Sequence, residues 1–229
     1  QLIVMIMSFA PLGVFCLIGK FVIADGLDIF QDVLAYVVLL IALLLFHAAF
    51  TYSIFLKFIG GLNPLTFYRK MKDVALFAFS TSSSAATIPV TLRTVNQDLG
   101  VNQNVASFVV PVGATINMDG TAIMQGLATV FIAQMSGIDL TLFQYIQVVL
   151  LAVATSIGTA AVPSAGTITL IIILQQFNLP LEAIGIILAV DRVLDMIRTS
   201  VNVTGDAAIA CIVAKTENQL DENIFNSKA

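Results

Sequence analysis

The 229-residue chain is 59% hydrophobic and only 10% charged, whereas a soluble domain carries roughly a quarter of its residues as Asp, Glu, Lys or Arg. It therefore reads as a series of membrane segments. Lys and Arg number 10 against 14 Asp and Glu, too few and too scattered for a nucleic-acid footprint, and Cys16 and Cys211, far apart in apolar runs, read as packing residues rather than a disulfide framework or CxxC metal site.

The sequence opens at Gln1 directly into apolar residues, with no initiator Met, basic n-region or cleavage site. It is not a signal peptide and reads as a piece of a longer protein. Leu2 to Ile23 and Val33 to Phe58 are each long enough, at about 1.5 Å per residue, to cross a hydrocarbon core of about 30 Å as helices. Asp25, Asp28 and Asp32 lie between them, and Lys57, Arg69, Lys70 and Lys72 follow the second. That basic bias places the second loop in the cytoplasm. His47, in LLLFHAAF, reads as a structural or interfacial residue rather than a ligand.

After Pro64 the regular pattern breaks. Asp73 to Phe79 predicts a short helix, STSSSAATIP follows, and Val90 to Asn96 predicts a second short helix. A Ser and Thr tract at membrane depth is tolerated only when buried in protein or lining a watery cavity. A re-entrant hairpin satisfies that condition, and a loop at the membrane surface is the alternative. Phe143 to Thr155, SIGTAAVPSAGT and Ile168 to Phe177 repeat the design. Paired, interrupted apolar segments point to a transporter site.

Between the hairpins, Ala106 to Met135 is apolar except for GATINMDGTA. A bare carboxylate at the centre of a span costs at least about 2.5 to 3.5 kcal/mol, so Asn117 and Asp119 need compensation. Gly113 and Gly120 bracket them and could let the helix unwind, exposing carbonyl oxygens that suit a hard cation such as sodium. A kink with Asp119 hydrogen-bonded to a neighbouring helix is the alternative. In the last span, Leu181 to Ala214, a rotation of about 100° per residue puts Asp191, Arg192, Asp195, Arg198, Thr199, Asn202 and Asp206 in one wedge of about 120°. Val193, Leu194, Met196, Ile197 and Val201 form the opposite, apolar face. Within a membrane such a stripe is functional by default, although an ion-pair network that merely holds helices together would have the same pattern. Arg198 offers a planar fork for a carboxylate, Asp195 suits an ammonium, Asn202 can donate or accept, and Asp206 suits a bound cation. The set fits an amino dicarboxylate.

The residues Ser82 to Pro89, GATINMDGT at Gly113 to Thr121, SIGTAAVPSAG at Ser156 to Gly166 and LDMIRTSVNVTGD at Leu194 to Asp206 resemble the dicarboxylate/amino acid:cation symporter family, over nearly the whole chain and in the right order. The resemblance implies an all-α membrane protein with the glutamate-transporter-homologue fold, two re-entrant hairpins and discontinuous helices. It also implies a homotrimer in the cell membrane that moves an acidic amino acid with sodium by an elevator motion, with no enzymatic activity and no other cofactor. By that comparison the chain starts near the fifth helix and lacks the first four. Residues 1–60 would hold two transmembrane helices, and 61–229 the transport-domain core.

The resemblance assigns the substrate to Ser83, Ser84, Thr121, Val162, Pro163, Gly166, Asp195, Arg198, Thr199 and Asn202. Asp195 would hold the amino group and Arg198 the side-chain carboxylate. Sodium is implied at Gly113, Asn117, Asn202 and Asp206, at Asn117 and Asp119, and at Thr115 with Ser156, Ile157 and Thr159. Departures exist. Ser82 and Met196 stand where relatives often carry a further Arg, and Arg192 is the candidate replacement for that charge. Gln125 stands where animal members carry a Glu linked to proton and potassium countertransport. Ala161 and Ser164 replace tip glycines. A dicarboxylate carrier usually lacks the Asp seen at Asp195, a neutral amino acid carrier would lose Arg198, and an intramembrane aspartyl protease would need a GxGD motif that is absent.

Overall fold

The computed structural model describes residues 29–227, together with Leu12, Phe15, Cys16, Gly19 and Ile23. The first expected span, Leu2 to Ile23, falls mostly outside the described residues. Helix α1 is Ile29–Phe46 and continues through a π-helical turn at His47–Thr51, an α turn at Tyr52–Ile54 and a second π turn at Phe55–Ile59. Among the described residues, Phe30–Ile59 is the one helix both long and apolar enough to cross a bilayer. Tyr36, Leu40, Leu44, Tyr52 and Leu56 are buried, while Leu34, Val38, Phe46, Phe50 and Phe58 face outward. Inward residues recur about one turn apart, as one packed helix face requires.

Helix α2, Pro64–Thr81, starts nine residues before the expected Asp73. Asn63 accepts a hydrogen bond from the Leu65 amide at 2.9 Å and Pro64 is the first helical residue, a start signal that needs no hydrophobic run. Arg69, Lys70 and Lys72 therefore sit on a helix rather than in a loop, and Lys70 is buried. The chain reverses at Ser82, whose φ of 51° is left-handed. Helix α3, Ser84–Gln97, begins well before the expected Val90 because Ser83 caps it by accepting the Ala86 amide at 3.2 Å.

The segment with two polar residues near its middle is two helices, α4 (Gln103–Ile116) and α5 (Asp119–Met135), broken at Asn117 and Met118. Gly113 and Gly120, expected to unwind, lie inside the helices instead. Their role is close approach: a Cβ on Gly113 would stand 2.6 Å from Asp206 Oδ1, and one on Gly120 2.9 Å from Asn202 Oδ1. Helix α6, Leu142–Ile157, opens on a Thr141/Gln144 capping box. It turns through Ser164, in the left-handed region at φ 59°, into α7, Ala165–Gln176. A 3-10 turn at Leu181–Ala183 leads into α8, Ile184–Thr216, and a short α9, Glu222–Asn226, follows.

Helix α8 is the axis of the bundle and touches α1, α2, α3, α4, α5 and α7. Leu194 and Val201, assigned from the sequence to an apolar outer face, are buried with the polar residues. The helix is enclosed on most sides, and Gly205, Ala207, Ala208 and Ala210 let neighbours approach closely. Cys211 packs within it, whereas Cys16 is exposed. Helix α6, in contrast, turns Leu142, Phe143, Ile146, Val149, Leu150 and Val153 outward. Gly205→Ala would put a methyl group 2.6 Å from the Tyr52 hydroxyl and 2.9 Å from Asn117 Nδ2. Overpacking of this kind costs about 1–3 kcal/mol, so thermal unfolding of the purified variant should shift several degrees down, and an unchanged midpoint would contradict this packing.

Candidate ligand and cation site

The charged residues of α8 meet in the interior. Arg198 is 2% exposed, and its Nη2 lies 2.5 Å from Asp195 Oδ1 and 3.6 Å from Asp191 Oδ1. Asp195 Oδ2 accepts the backbone amide of Ser164 at 2.9 Å, and Asp191 Oδ1 accepts the Thr167 hydroxyl at 2.6 Å. The tip of the α6–α7 hairpin is thus hydrogen-bonded to both acids. At the opposite tip, Ser83 Oγ donates to Ala161 O at 2.9 Å and the Ala85 amide reaches the same oxygen at 3.4 Å. The two hairpin tips close on each other above α8.

Beneath them lies a cavity of about 20 Å³, which is room for about one water molecule. Ser84, Thr121, Val162, Gly166, Asp195, Arg198, Thr199 and Asn202 line it, with Ser82, Met118 and Thr159. Of the residues expected at a substrate, Ser83 and Pro163 do not line it; Ser83 instead ties the tips. Four side-chain atoms among the described residues are buried without a hydrogen-bond partner: Arg198 Nη1, Ser82 Oγ, Asp191 Oδ2 and the Tyr36 hydroxyl. Arg198 and Ser82 line the cavity, and a carboxylate placed there would satisfy both.

Backbone dipoles reinforce that preference. Helices α3, α5 and α7 begin at Ser84, Asp119 and Ala165, and cavity-lining residues Ser84, Thr121 and Gly166 lie in their first turns. Three helix N-termini, each with a partial positive charge, therefore surround it. Asn202 supplements one of them by accepting the Gly120 amide at 2.8 Å.

The C-terminal end of α4 has the opposite polarity. Asp206 is 2% exposed and packs against Gly113, and Asn117 Nδ2 donates to its Oδ1 at 3.0 Å. A buried carboxylate beside helix-end carbonyls concentrates negative charge, which suits a hard cation. Gly113, Asn117 and Asp206 are therefore gathered, with Asn202 one turn away on α8. Asp119 is turned toward α1, where its Oδ2 lies 2.9 Å from His47 Nε2 and accepts the Tyr52 hydroxyl at 2.9 Å. The alternative of a hydrogen bond to a neighbouring helix thus holds for Asp119. The hydroxyls of Thr115, Ser156 and Thr159 are each bonded to a backbone carbonyl of α4 or α6. Thr115 is exposed and donates to Val112 O, Ser156 donates to Val153 O, and Thr159 donates to Thr155 O.

Arg192, the candidate replacement charge, is exposed and does not line the cavity. Sequence reasoning does not single out Thr167 or Tyr52, and it gives Asp191, although placed in the polar wedge, no role at the site. Two larger grooves, of about 490 and 430 Å³, run along α1 and α5, but they hold none of the α8 charges. Removing one partner of a buried ion pair costs about 3–5 kcal/mol, because a charge remains uncompensated. Arg198→Met should therefore lower the unfolding midpoint more than the double variant Arg198→Met with Asp195→Asn; equal or greater loss in the double variant would contradict the pairing.

The sequence matches the profile of the sodium:dicarboxylate symporter family over residues 1–216. It is 42% identical over 215 residues to human excitatory amino acid transporter 2, covering 93% of this chain and 38% of that protein. A Caenorhabditis elegans excitatory amino acid transporter is 41% identical, with 93% and 43% covered. Mouse excitatory amino acid transporter 3 is 40% identical over 230 residues, with 100% and 44% covered. The chain spans about two fifths of the length of these relatives. With nearly all of its length matched, the chain belongs to the sodium:dicarboxylate symporter family, a family of multi-pass membrane proteins.

Proposed function

We propose that this chain forms the substrate-binding part of a secondary active symporter that carries an acidic amino acid, glutamate or aspartate, together with sodium ions. The observation that carries the reading is the buried Arg198, which has one unpartnered donor and lines a cavity ringed by three helix N-termini. The family and the excitatory amino acid transporters among its relatives support it. Asp195 and Arg198 are bonded to each other, so binding exchanges one internal ion pair for two: Asp195 with the ligand ammonium, Arg198 with its side-chain carboxylate. Asp191, already 3.6 Å from the guanidinium, keeps Arg198 oriented during the exchange. Thr199, Asn202 and Thr121 complete the pocket, and Ser82 and Ser84 donate from the first hairpin.

An amino acid is several times larger than the cavity, so the tips part for entry and the Ser83 to Ala161 bond breaks. Sodium occupies the Asp206, Asn117 and Gly113 site; a second site at Asp119 and Asn117 requires the Asp119 carboxylate to turn away from His47 and Tyr52, which it now engages. A third, at Thr115 and Ser156, requires those hydroxyls to turn away from their own helices. Each net positive charge carried inward gains about 2.3 kcal/mol per 100 mV of membrane potential, which drives accumulation. The two helical hairpins are re-entrant, residues 61–229 move as a transport domain against a trimeric scaffold, and the basic end of α1 faces the cytoplasm. Asp195 favours an amino acid over a plain dicarboxylate, and Arg198 favours an acidic over a neutral side chain.

Uptake of labelled L-aspartate into proteoliposomes containing the full-length parent protein tests this reading. An inward sodium gradient should drive it, L-glutamate should compete, and succinate and neutral amino acids should not. Preferential inhibition by succinate would favour the dicarboxylate reading. Arg198→Lys, which loses the fork, should weaken aspartate by about ten- to a hundredfold, the range for a charge-assisted hydrogen bond. Gln125 is neutral, so uptake should not depend on internal potassium; a potassium requirement would contradict this.

A further inference from the structure

A charge with three hydrogen-bond acceptors lies far from the α8 cluster. Lys70, on α2, is 9% exposed, yet its ammonium donates to Asp98 O at 2.9 Å, Ile224 O at 2.7 Å and Ser227 Oγ at 3.2 Å. A lysine ammonium has three donors, and here each has an acceptor. Asp98 O lies just past the C-terminal end of α3, and Ile224 O belongs to the last turns of α9. Lys70 thus caps two helix C-termini with positive charge, where such charge is favourable. It joins both arms of the α2–α3 hairpin to a segment 154 to 157 residues further along the chain.

Other bonds converge on the same junction. The Asn102 amide donates to Gln219 O at 2.9 Å and the Asp221 amide to Gly100 O at 2.8 Å, around an antiparallel bridge between Val101 and Leu220. Gly100 has φ +74°, and a Cβ there would collide with the Asp221 backbone, so only glycine permits this approach. Phe225 is fully buried, and Lys215 pairs with Glu222 across the end of α8. The segment following α8 therefore returns to the base of the α2–α3 hairpin and fastens it. The base of the α6–α7 hairpin lacks a comparable tie among the described residues.

We propose that residues 219–227 act as a clasp, with Lys70 as its pin, that fixes the α2–α3 hairpin to the end of α8. Lys70 is then a positioning residue: it holds Ser82 and Ser84 in register with Arg198 from the far end of the hairpin. The consequence for ligand binding rests on the function proposed above, but the clasp itself does not. Backbone hydrogen exchange of the full-length protein without ligand separates the two, since it reads the clasp whether or not the protein transports anything.

In Lys70→Met the apolar stem remains while the donors are lost. Exchange in peptides covering 98–102 and 219–227 should rise by about ten- to a hundredfold, the factor for losing a charge-assisted hydrogen bond, while α5 and α6 peptides keep their rates. Phe225→Ala should give the same local pattern by removing the buried anchor, and it serves if the Lys70 variant does not fold. Lys70→Arg should restore part of the protection. Unchanged exchange at both junction peptides in either folded variant would overturn the clasp. A uniform rise across all helices would also overturn it, because Lys70 would then be an ordinary packing residue.

Discussion

A charge inside a membrane protein must meet its counter-charge there, because lipid offers none. Helix α8 places Asp191, Asp195, Arg198 and Asp206 in the bundle interior, each about 2–4% exposed, and the surrounding architecture can be understood as the means of neutralising them. Acids and arginine pair within one helix, two hairpin tips bring amides and hydroxyls, and a broken helix brings carbonyls and an asparagine. Regular spanning helices could not do this, since their backbone groups are consumed by their own ladders. Interruption of the helices is the structural cost of exposing backbone polarity at depth.

That polarity is sorted. Helix starts, with partial positive charge, gather at the Arg198 cavity, whereas the end of α4 lies against Asp206. One region is suited to carboxylates and the other, a turn or two along α8, to a cation. On the proposed function this separation lets ligand and ion sit close together without sharing ligating groups, apart from Asn202, which can serve either side through its amide. Binding of one then favours the other by ordinary electrostatics, and the hairpin tip, bonded to Asp191 and Asp195, is placed to respond.

Much of this was legible in the sequence because polar residues are so conspicuous against an apolar background. The wedge on α8, the break around Asn117 and the two Ser- or Gly-rich tips could be read from periodicity alone. Other features were hidden for physical reasons. Helix α2 starts on a proline and an asparagine cap and carries a basic run, so hydrophobicity missed its first half. His47 and Tyr52 are five residues apart, which in an α-helix points them in different directions. The π turn at His47–Thr51 brings both to Asp119, their rings 5.0 Å apart. Leu194 and Val201 looked lipid-facing because a hydrophobic stripe cannot distinguish a lipid neighbour from a protein one. The junction around Lys70 joins segments more than a hundred residues apart, beyond the reach of any local pattern.

The central claim is that the buried Arg198 and Asp195 pair opens to receive a zwitterion only when cations balance the neighbouring acids. Calorimetric titration of the full-length parent protein with L-aspartate, with sodium and with choline in its place, measures this most directly. The account predicts saturable binding in sodium and none in choline, and loss of the sodium-dependent binding in Asp206→Asn. Equal binding in the two media, or no binding of any acidic amino acid in either, would contradict it.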